Sequence, residues 1–173
     1  DLMRRRYPAE WLPAGPQEER DWNPDQIVKS QTGWGHYLWF DTQESLEDWV
    51  RASQAYQAWA VRTQTDAFRR DEKMVSFALH LFIDAFPSGW MKAIMDCERI
   101  AKPAYFAYRE ALAPLRADLR SDRFQFVSGE NARFESRILN DTNEAPEGLS
   151  FHYLLERESD GEVLMAGRYP ARV

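Results

Sequence analysis

Cysteine is almost missing from this chain of 173 residues, and Cys97 stands alone. One thiol excludes an internal disulfide framework and a zinc site built from cysteines, and it leaves Cys97 as a buried or idle thiol. Histidine is scarce as well. His36 and His152 have no partner at metal-ligand spacing, so no metal and no cofactor is expected. No apolar run approaches the ~20 residues needed to span a bilayer. The first residues are charged and lack the apolar centre of a secretory leader, which leaves the compartment open. Positive charge is in deficit: the formal net charge is −6, which argues against a nucleic-acid backbone as partner. The short run Arg4-Arg5-Arg6, beside Tyr7 and Trp11, reads as solvated surface rather than a binding patch. No internal repeat is visible.

What the chain does have is apolar and aromatic mass. Hydrophobic residues make up 44% and aromatic residues 14%, seven Trp among them, more than a disordered segment carries. The length suits one domain or pieces of two. Residues 1–40 are rich in Pro, Gly and Trp without a sustained period, which predicts a long aromatic loop of the sort found at sites and lids. Residues 43–71 carry the best helical pattern, with Leu46, Trp49, Val50, Ser53, Tyr56, Gln57, Ala60, Gln64, Ala67 and Phe68 at spacings of three and four. Ser45 followed by Asp48 resembles a capping box.

Residues 75–84 alternate as a buried strand. Val75, Phe77, Leu79, Leu81 and Ile83 point one way; Ser76, Ala78, His80, Phe82 and Asp84 point the other. A helix is predicted from Pro103 to Ala113, with Pro103 at its first position and Pro114 stopping it. Beyond Asp118 the pattern changes to short alternating strands, around Phe124 to Ser128, Ala132 to Ile138, Leu149 to Arg157 and Glu162 to Arg168. Asp160-Gly161 marks a hairpin turn between the last two. Helix-strand-helix structure thus gives way near residues 115–122 to an all-β module.

Several segments follow one pattern in order. Asp84-Ala85-Phe86-Pro87-Ser88-Gly89-Trp90 is followed by Ile94-Met95-Asp96 and by Lys102-Pro103-Ala104-Tyr105-Phe106. Upstream lie Asp21-Trp22-Asn23-Pro24-Asp25 and Ser53-Gln54-Ala55-Tyr56-Gln57-Ala58 with Phe68-Arg69-Arg70. Downstream lie Glu110-Ala111-Leu112-Ala113-Pro114-Leu115 and Leu139-Asn140-Asp141-Thr142. Together they resemble glycoside hydrolase family 2, the β-galactosidase, β-mannosidase and exo-glucosaminidase group. There the eighth barrel strand reads like W-x-x-N-D-x-W-P and is followed by K-P-x-Y-Y, while v-N-D-t ends a strand of the next β-sandwich. The chain departs from the pattern at His80 (Trp in the family), Ile83 (Asn) and Phe86 (Trp), positions that shape the subsite for the terminal sugar.

The resemblance implies an α/β plus all-β architecture. Residues 1–117 would form the last, helix-strand-helix part of a TIM barrel, and residues 118–173 would begin an immunoglobulin-like β-sandwich. It also implies a β-glycosidase that removes terminal β-linked sugars by a retaining mechanism, whose two carboxyl groups lie about 5 to 5.5 Å apart. In the family both are Glu. Their motifs do not occur here, and Glu10, Glu18 and Glu19 lie in the wrong context, so no catalytic residue is expected in this chain and the pair would lie upstream. The implied partners are a carbohydrate substrate and the N-terminal remainder of the same protein, with neither nucleic acid nor membrane. A non-catalytic carbohydrate-binding or scaffolding module derived from such a barrel is the alternative, and the changes at His80, Ile83 and Phe86 are what it would show.

Five residues stand out as substrate-binding candidates. Asp84 ends a strand on the inward face, where barrel sites are built; it either binds sugar hydroxyls or orients a catalytic group, or it makes a structural bond to a neighbouring loop. His80, on the same face, is a core histidine or a ligand contact. Trp34, between Gly33 and Gly35, could stack on a sugar ring or serve as core, with His36 beside it. Trp90 packs the barrel end close to the implied site. A portion of a barrel should also expose apolar surface that other polypeptide would cover.

Overall fold

The computed structural model describes residues 2–6, 9, 12, 15, 45–84 and 92–171. The fold is mixed α/β and divides into two compact units, Asp1–Leu112 and Ala113–Val173. Helices occupy the first: α1 (Leu2–Arg6), α2 (Leu46–Arg70) and α3 (Pro103–Ala111). Four strands occupy the second: β1 (Leu115–Ser121), β2 (Phe134–Asn140), β3 (Ser150–Glu156) and β4 (Val163–Pro170). They form two antiparallel two-stranded sheets, β1-β2 and β3-β4. The boundary expected between residues 117 and 118 falls inside β1.

Helix α2 starts where its sequence offers a cap. The Asp48 N–H donates to Ser45 Oγ at 3.1 Å, and the Ser45 hydroxyl donates in turn to Asp48 Oδ2 at 2.7 Å. The carboxylate therefore takes the serine proton instead of reaching back to a backbone N–H as the usual box does. Leu46 and Trp49 are buried against Leu12 and Val50. Further along, Val61, Thr65 and Asp66 are buried while Gln64, Ala67 and Phe68 are exposed, so the inward stripe runs through different residues from those expected. Thr65 can go inside because its hydroxyl donates to the Val61 carbonyl at 2.7 Å, which hydropathy does not register.

Helix α3 begins at Pro103, whose missing N–H costs nothing there, and ends at Ala111, two residues short of the expected end. Val61 of α2, Ala104 of α3 and Ile94 between them form the second core cluster. Arg69 Nη1 donates to the Ala111 carbonyl at 2.6 Å, satisfying an acceptor that a helix end leaves open. The arginine run is ion-paired: Arg4 with Glu47 at 3.0 Å, Arg5 and Arg6 with Glu98, each at 3.1 Å.

Residues 75–84 differ from the expected strand. Among the described residues its backbone pairs toward the end, where Leu81 O accepts from the Ile94 N–H at 3.3 Å and a parallel bridge joins Ile83 and Met95. The alternation holds over residues 77–83, where Phe77, Leu79, Leu81 and Ile83 are half-buried and Ala78, His80 and Phe82 are exposed, and fails at both ends: Val75 is exposed and the Asp84 side chain is largely buried. Leu79 packs on the Val61 cluster, and the Phe77 ring lies 5.3 Å from Phe68.

In the second unit, β1 aligns Leu115 with Asn140 and Ser121 with Phe134. No strand forms at Phe124 to Ser128. The Phe126 ring instead sits 6.0 Å from Phe134, with the Arg123 guanidinium 4.9 Å from its centroid. Strand pairing fell to Leu115–Ser121 because that segment, not the more aromatic one, lies opposite β2. One face of β1-β2 carries Arg120, Glu135 and Arg137, with Glu135 bridging both guanidiniums at 2.8 and 2.9 Å. The other face leaves Leu119 65% and Phe134 54% exposed. The turn between β3 and β4 forms at Asp160-Gly161, where Gly161 takes a φ of 72° and the Glu162 N–H donates to Asp160 Oδ1 at 3.1 Å. Phe151, Tyr153, Leu155, Met165 and Tyr169 share one face of that hairpin, with Phe151 stacked on Tyr169 at 5.2 Å. Tyr153 lies over Gly167, where an added Cβ would collide with the ring. The Tyr169 and Ser136 hydroxyls share a hydrogen bond.

Core and cap separate by magnitude. Ile94→Ala, at a fully buried side chain, is expected to cost about 3 kcal/mol through lost contacts and a cavity. Ser45→Ala is expected to cost about 1 kcal/mol. Urea denaturation of the two variants checks the order, and an Ile94→Ala loss no larger than that of Ser45→Ala would contradict the assigned core.

Candidate functional site

Three short segments converge on the end of residues 75–84. The middle one, Ile94 to Asp96, is bonded on both sides. On one side the Met95 N–H donates to Phe82 O at 3.0 Å and the Asp84 N–H donates to Met95 O at 3.1 Å. On the other, the Lys102 N–H donates to Ile94 O at 2.9 Å, and Met95 bridges Ala101 in antiparallel sense. Asp84, Asp96 and Lys102 are thereby brought together by backbone bonds.

The loop between the second and third segments is built around Asp96. Its Oδ1 accepts from the Glu98 and Ile100 N–H groups, each at 2.9 Å, while its own N–H donates to Ile100 O at 3.0 Å. Arg99 sits in the left-handed region at a φ of 65°. Asp96 is 9% exposed, and its local role is a turn. Lys102 precedes Pro103, which keeps it extended, at φ −82° and ψ 165°. Its side chain makes no cap bond to that helix.

Lys102 Nζ lies 3.8 Å from Asp84 Oδ2, with the two side chains 17% and 10% exposed. Burial pushes the Asp84 carboxyl above its usual range; the Lys102 charge opposes this and Asp96 adds to it. Burial likewise lowers the Lys102 ammonium, against the attraction of Asp84 and Asp96. In both groups loss of water outweighs the partner's charge. The arrangement offers acceptors and donors side by side but no nucleophile held by a base, and among the described residues no group of acidic, histidine or cysteine side chains is placed to hold a metal ion.

Of the residues expected at a site, Asp84 is in this cluster and paired with Lys102, while His80 is exposed on the face it shares with Ala78 and Phe82. Trp34, His36 and Trp90 lie outside the described residues. Lys102 and Asp96 belong to the quoted motifs but were given no role. The signal for them was available: a carboxylate at a buried strand end needs a cation, and Lys102 is the nearest downstream cation locked in extended backbone by a proline.

The pH dependence has a definite sign. The folded Asp84 carboxyl holds its proton more tightly than an unfolded one, so its contribution to stability is complete below 3.8 and is lost as pH rises through the raised value. For Lys102 the contribution is present above 10.5 and is lost as pH falls through the lowered value. A carbon-13 NMR titration should give Asp84 a midpoint above 3.8, displaced further upward in Lys102→Met. A midpoint at or below the ordinary aspartate value would show that charge pairing outweighs desolvation here.

Comparison with protein-family models, curated proteins and solved structures finds no match to this chain.

Proposed function

We propose that this chain is a portion of a retaining β-glycosidase that hydrolyses terminal β-linked sugars, contributing the end of a TIM barrel and the beginning of an immunoglobulin-like sandwich. The catalytic Glu pair belongs to another part of the protein, and Asp84 handles substrate without forming a covalent bond to it. The observation that carries the proposal is the two-sidedness of residues 77–83. Phe77 and Leu79 lie on α2 and its core cluster, while Ala78, His80 and Phe82 are open. A barrel strand has this arrangement, with helices on one side and the barrel interior on the other. Asp84 ends the segment at the point where barrel chemistry collects.

The apolar exposure of the second unit supports the same proposal. Leu119, Phe134, Leu154, Leu155, Val163 and Met165 are each about half exposed or more, apolar surface that further polypeptide of the proposed sandwich would cover. The order of the motifs adds the chemistry. His80, Ile83 and Phe86 depart from the family pattern at the terminal-sugar subsite, which favours the second possibility of a non-catalytic carbohydrate-binding module.

The intact gene product should hydrolyse an aryl β-glycoside and should be labelled by a 2-deoxy-2-fluoro glycosyl fluoride on a Glu outside residues 1–173. Asp84→Asn should lower kcat/KM by about tenfold or more, the value of one hydrogen bond to a charged group, and leave labelling intact. Labelling on Asp84 would overturn its role. Sugar binding without hydrolysis would select the non-catalytic module, and neither binding nor hydrolysis would reject both.

A further inference from the structure

The three arginines of α1 reach two carboxylates that lie far off in the sequence. Arg4 grips Glu47: its Nε and Nη2 donate to Oε1 at 3.1 and 3.0 Å, and Nη2 also reaches Oε2 at 3.2 Å. Arg5 spans both oxygens of Glu98 at 3.4 and 3.1 Å, and Arg6 Nε donates to Glu98 Oε1 at 3.1 Å. Forked contacts of this kind are the strongest an arginine makes with a carboxylate. The guanidiniums hold both carboxyls below their usual range, Arg4 at Glu47 and Arg5 with Arg6 at Glu98. A helix of five residues is too short to persist by itself. Its arginines are exposed and Leu2 is only half-buried, so ionic contact outweighs apolar burial in the described part of α1.

The two acceptors belong to different parts of the first unit. Glu47 lies in the first turn of α2. Glu98 lies in the turn built on Asp96, where the Glu98 and Ile100 N–H groups both donate to Asp96 Oδ1 at 2.9 Å and the Arg99 N–H donates to Asp96 O at 3.0 Å. One aspartate therefore holds this turn from inside and two arginines hold it from outside. Further along the chain, Leu12 packs against Leu46 and Trp49, an apolar tether beside α2 that does not depend on the arginines.

We propose that α1 is a releasable ionic strap, closed over the start of α2 and the Asp96 turn, and that ionic strength sets how often it is open and how firmly the turn is ordered. The proposal is independent of the glycosidase reading. The paired side chains are between 24% and 60% exposed, so dissolved ions reach them. The screening length is about 8 Å at physiological ionic strength and about 3 Å at 1 M, the length of the pairs themselves. Because Leu12 keeps α1 close, closing is an intramolecular step, and the strap opens and shuts without unfolding the core.

Hydrogen exchange followed by mass spectrometry on the intact gene product tests the strap, at about 0.05 M and about 1 M sodium chloride. Exchange over residues 2–6 and 96–102 should rise about three- to tenfold at high salt, the range that a few exposed ion pairs set, while residues 150–156 change little. Arg5→Gln combined with Arg6→Gln should bring residues 96–102 to the high-salt rate already at low salt and remove the salt response. Glu98→Arg should do the same. Adding Arg5→Glu and Arg6→Glu to Glu98→Arg reverses every charge in the contact and should restore both the protection and its salt dependence. Exchange indifferent to salt, or a response confined to residues 2–6, overturns the proposal. So does a charge-reversed triple variant that stays unprotected.

Discussion

Backbone hydrogen bonds to the segment from Ile94 to Asp96 hold the chain reversal of the first unit and set two opposite charges, Asp84 and Lys102, side by side. To place Asp84 beside Lys102, the chain runs Ile83 parallel to Met95, turns tightly around Asp96, returns antiparallel through Ala101 and enters α3 at Pro103. Each step is fixed by backbone hydrogen bonds, so the pair is a product of the loop and not its cause. Burial pushes the Asp84 carboxyl up and the Lys102 ammonium down, against the attraction between them. Such pairs seldom exist for stability alone, and regions that carry one at a net cost are where function is sought.

The first unit is organised to bear that cost. Ile94 opens the central segment and is fully buried against Val61 and Ala104, so the core of the unit and the charged pair share a foundation. The Gln57 amide donates to Lys92 O at 2.8 Å and Ala93 O at 3.3 Å, anchoring the approach to it. In the proposed glycosidase this packing would present the even-numbered side of residues 78–84 to the barrel interior, with Phe82, Asp84 and Lys102 at its rim. The second unit makes a different use of its residues: an ion-paired face on β1-β2, and an aromatic face on β3-β4 that remains substantially in solvent.

Local signals were legible where local physics decides. Ser45 and Asp48 marked the start of α2, Pro103 marked the start of α3, and Asp160-Gly161 marked the β3-β4 turn, because caps, prolines and tight turns are settled within a few residues. The alternation of residues 77–83 was likewise readable, and it persists as burial even where no ladder forms. What depended on distant partners was not readable. Strand β1 lies in a segment of alternating Leu and charge that looked like a boundary, and it pairs because β2 lies opposite. Thr65 and Asp66 are buried through contacts that hydropathy cannot see. Asp84 was singled out from its place in the pattern, whereas its pairing with Lys102 follows from a chain reversal that brings together residues 18 positions apart.

The central claim is that the outward apolar faces are interior surface of a larger sugar-processing protein. Hydroxyl-radical footprinting of this chain alone, set against the intact gene product, tests it directly at Leu119, Phe134, Met165 and Tyr169, all exposed here. The account predicts that oxidation at these positions falls several-fold in the intact protein, while the ion-paired region around Arg120 and Arg137 changes less. Equal oxidation in the two forms would contradict it and would make this chain a module whose apolar faces serve some other partner.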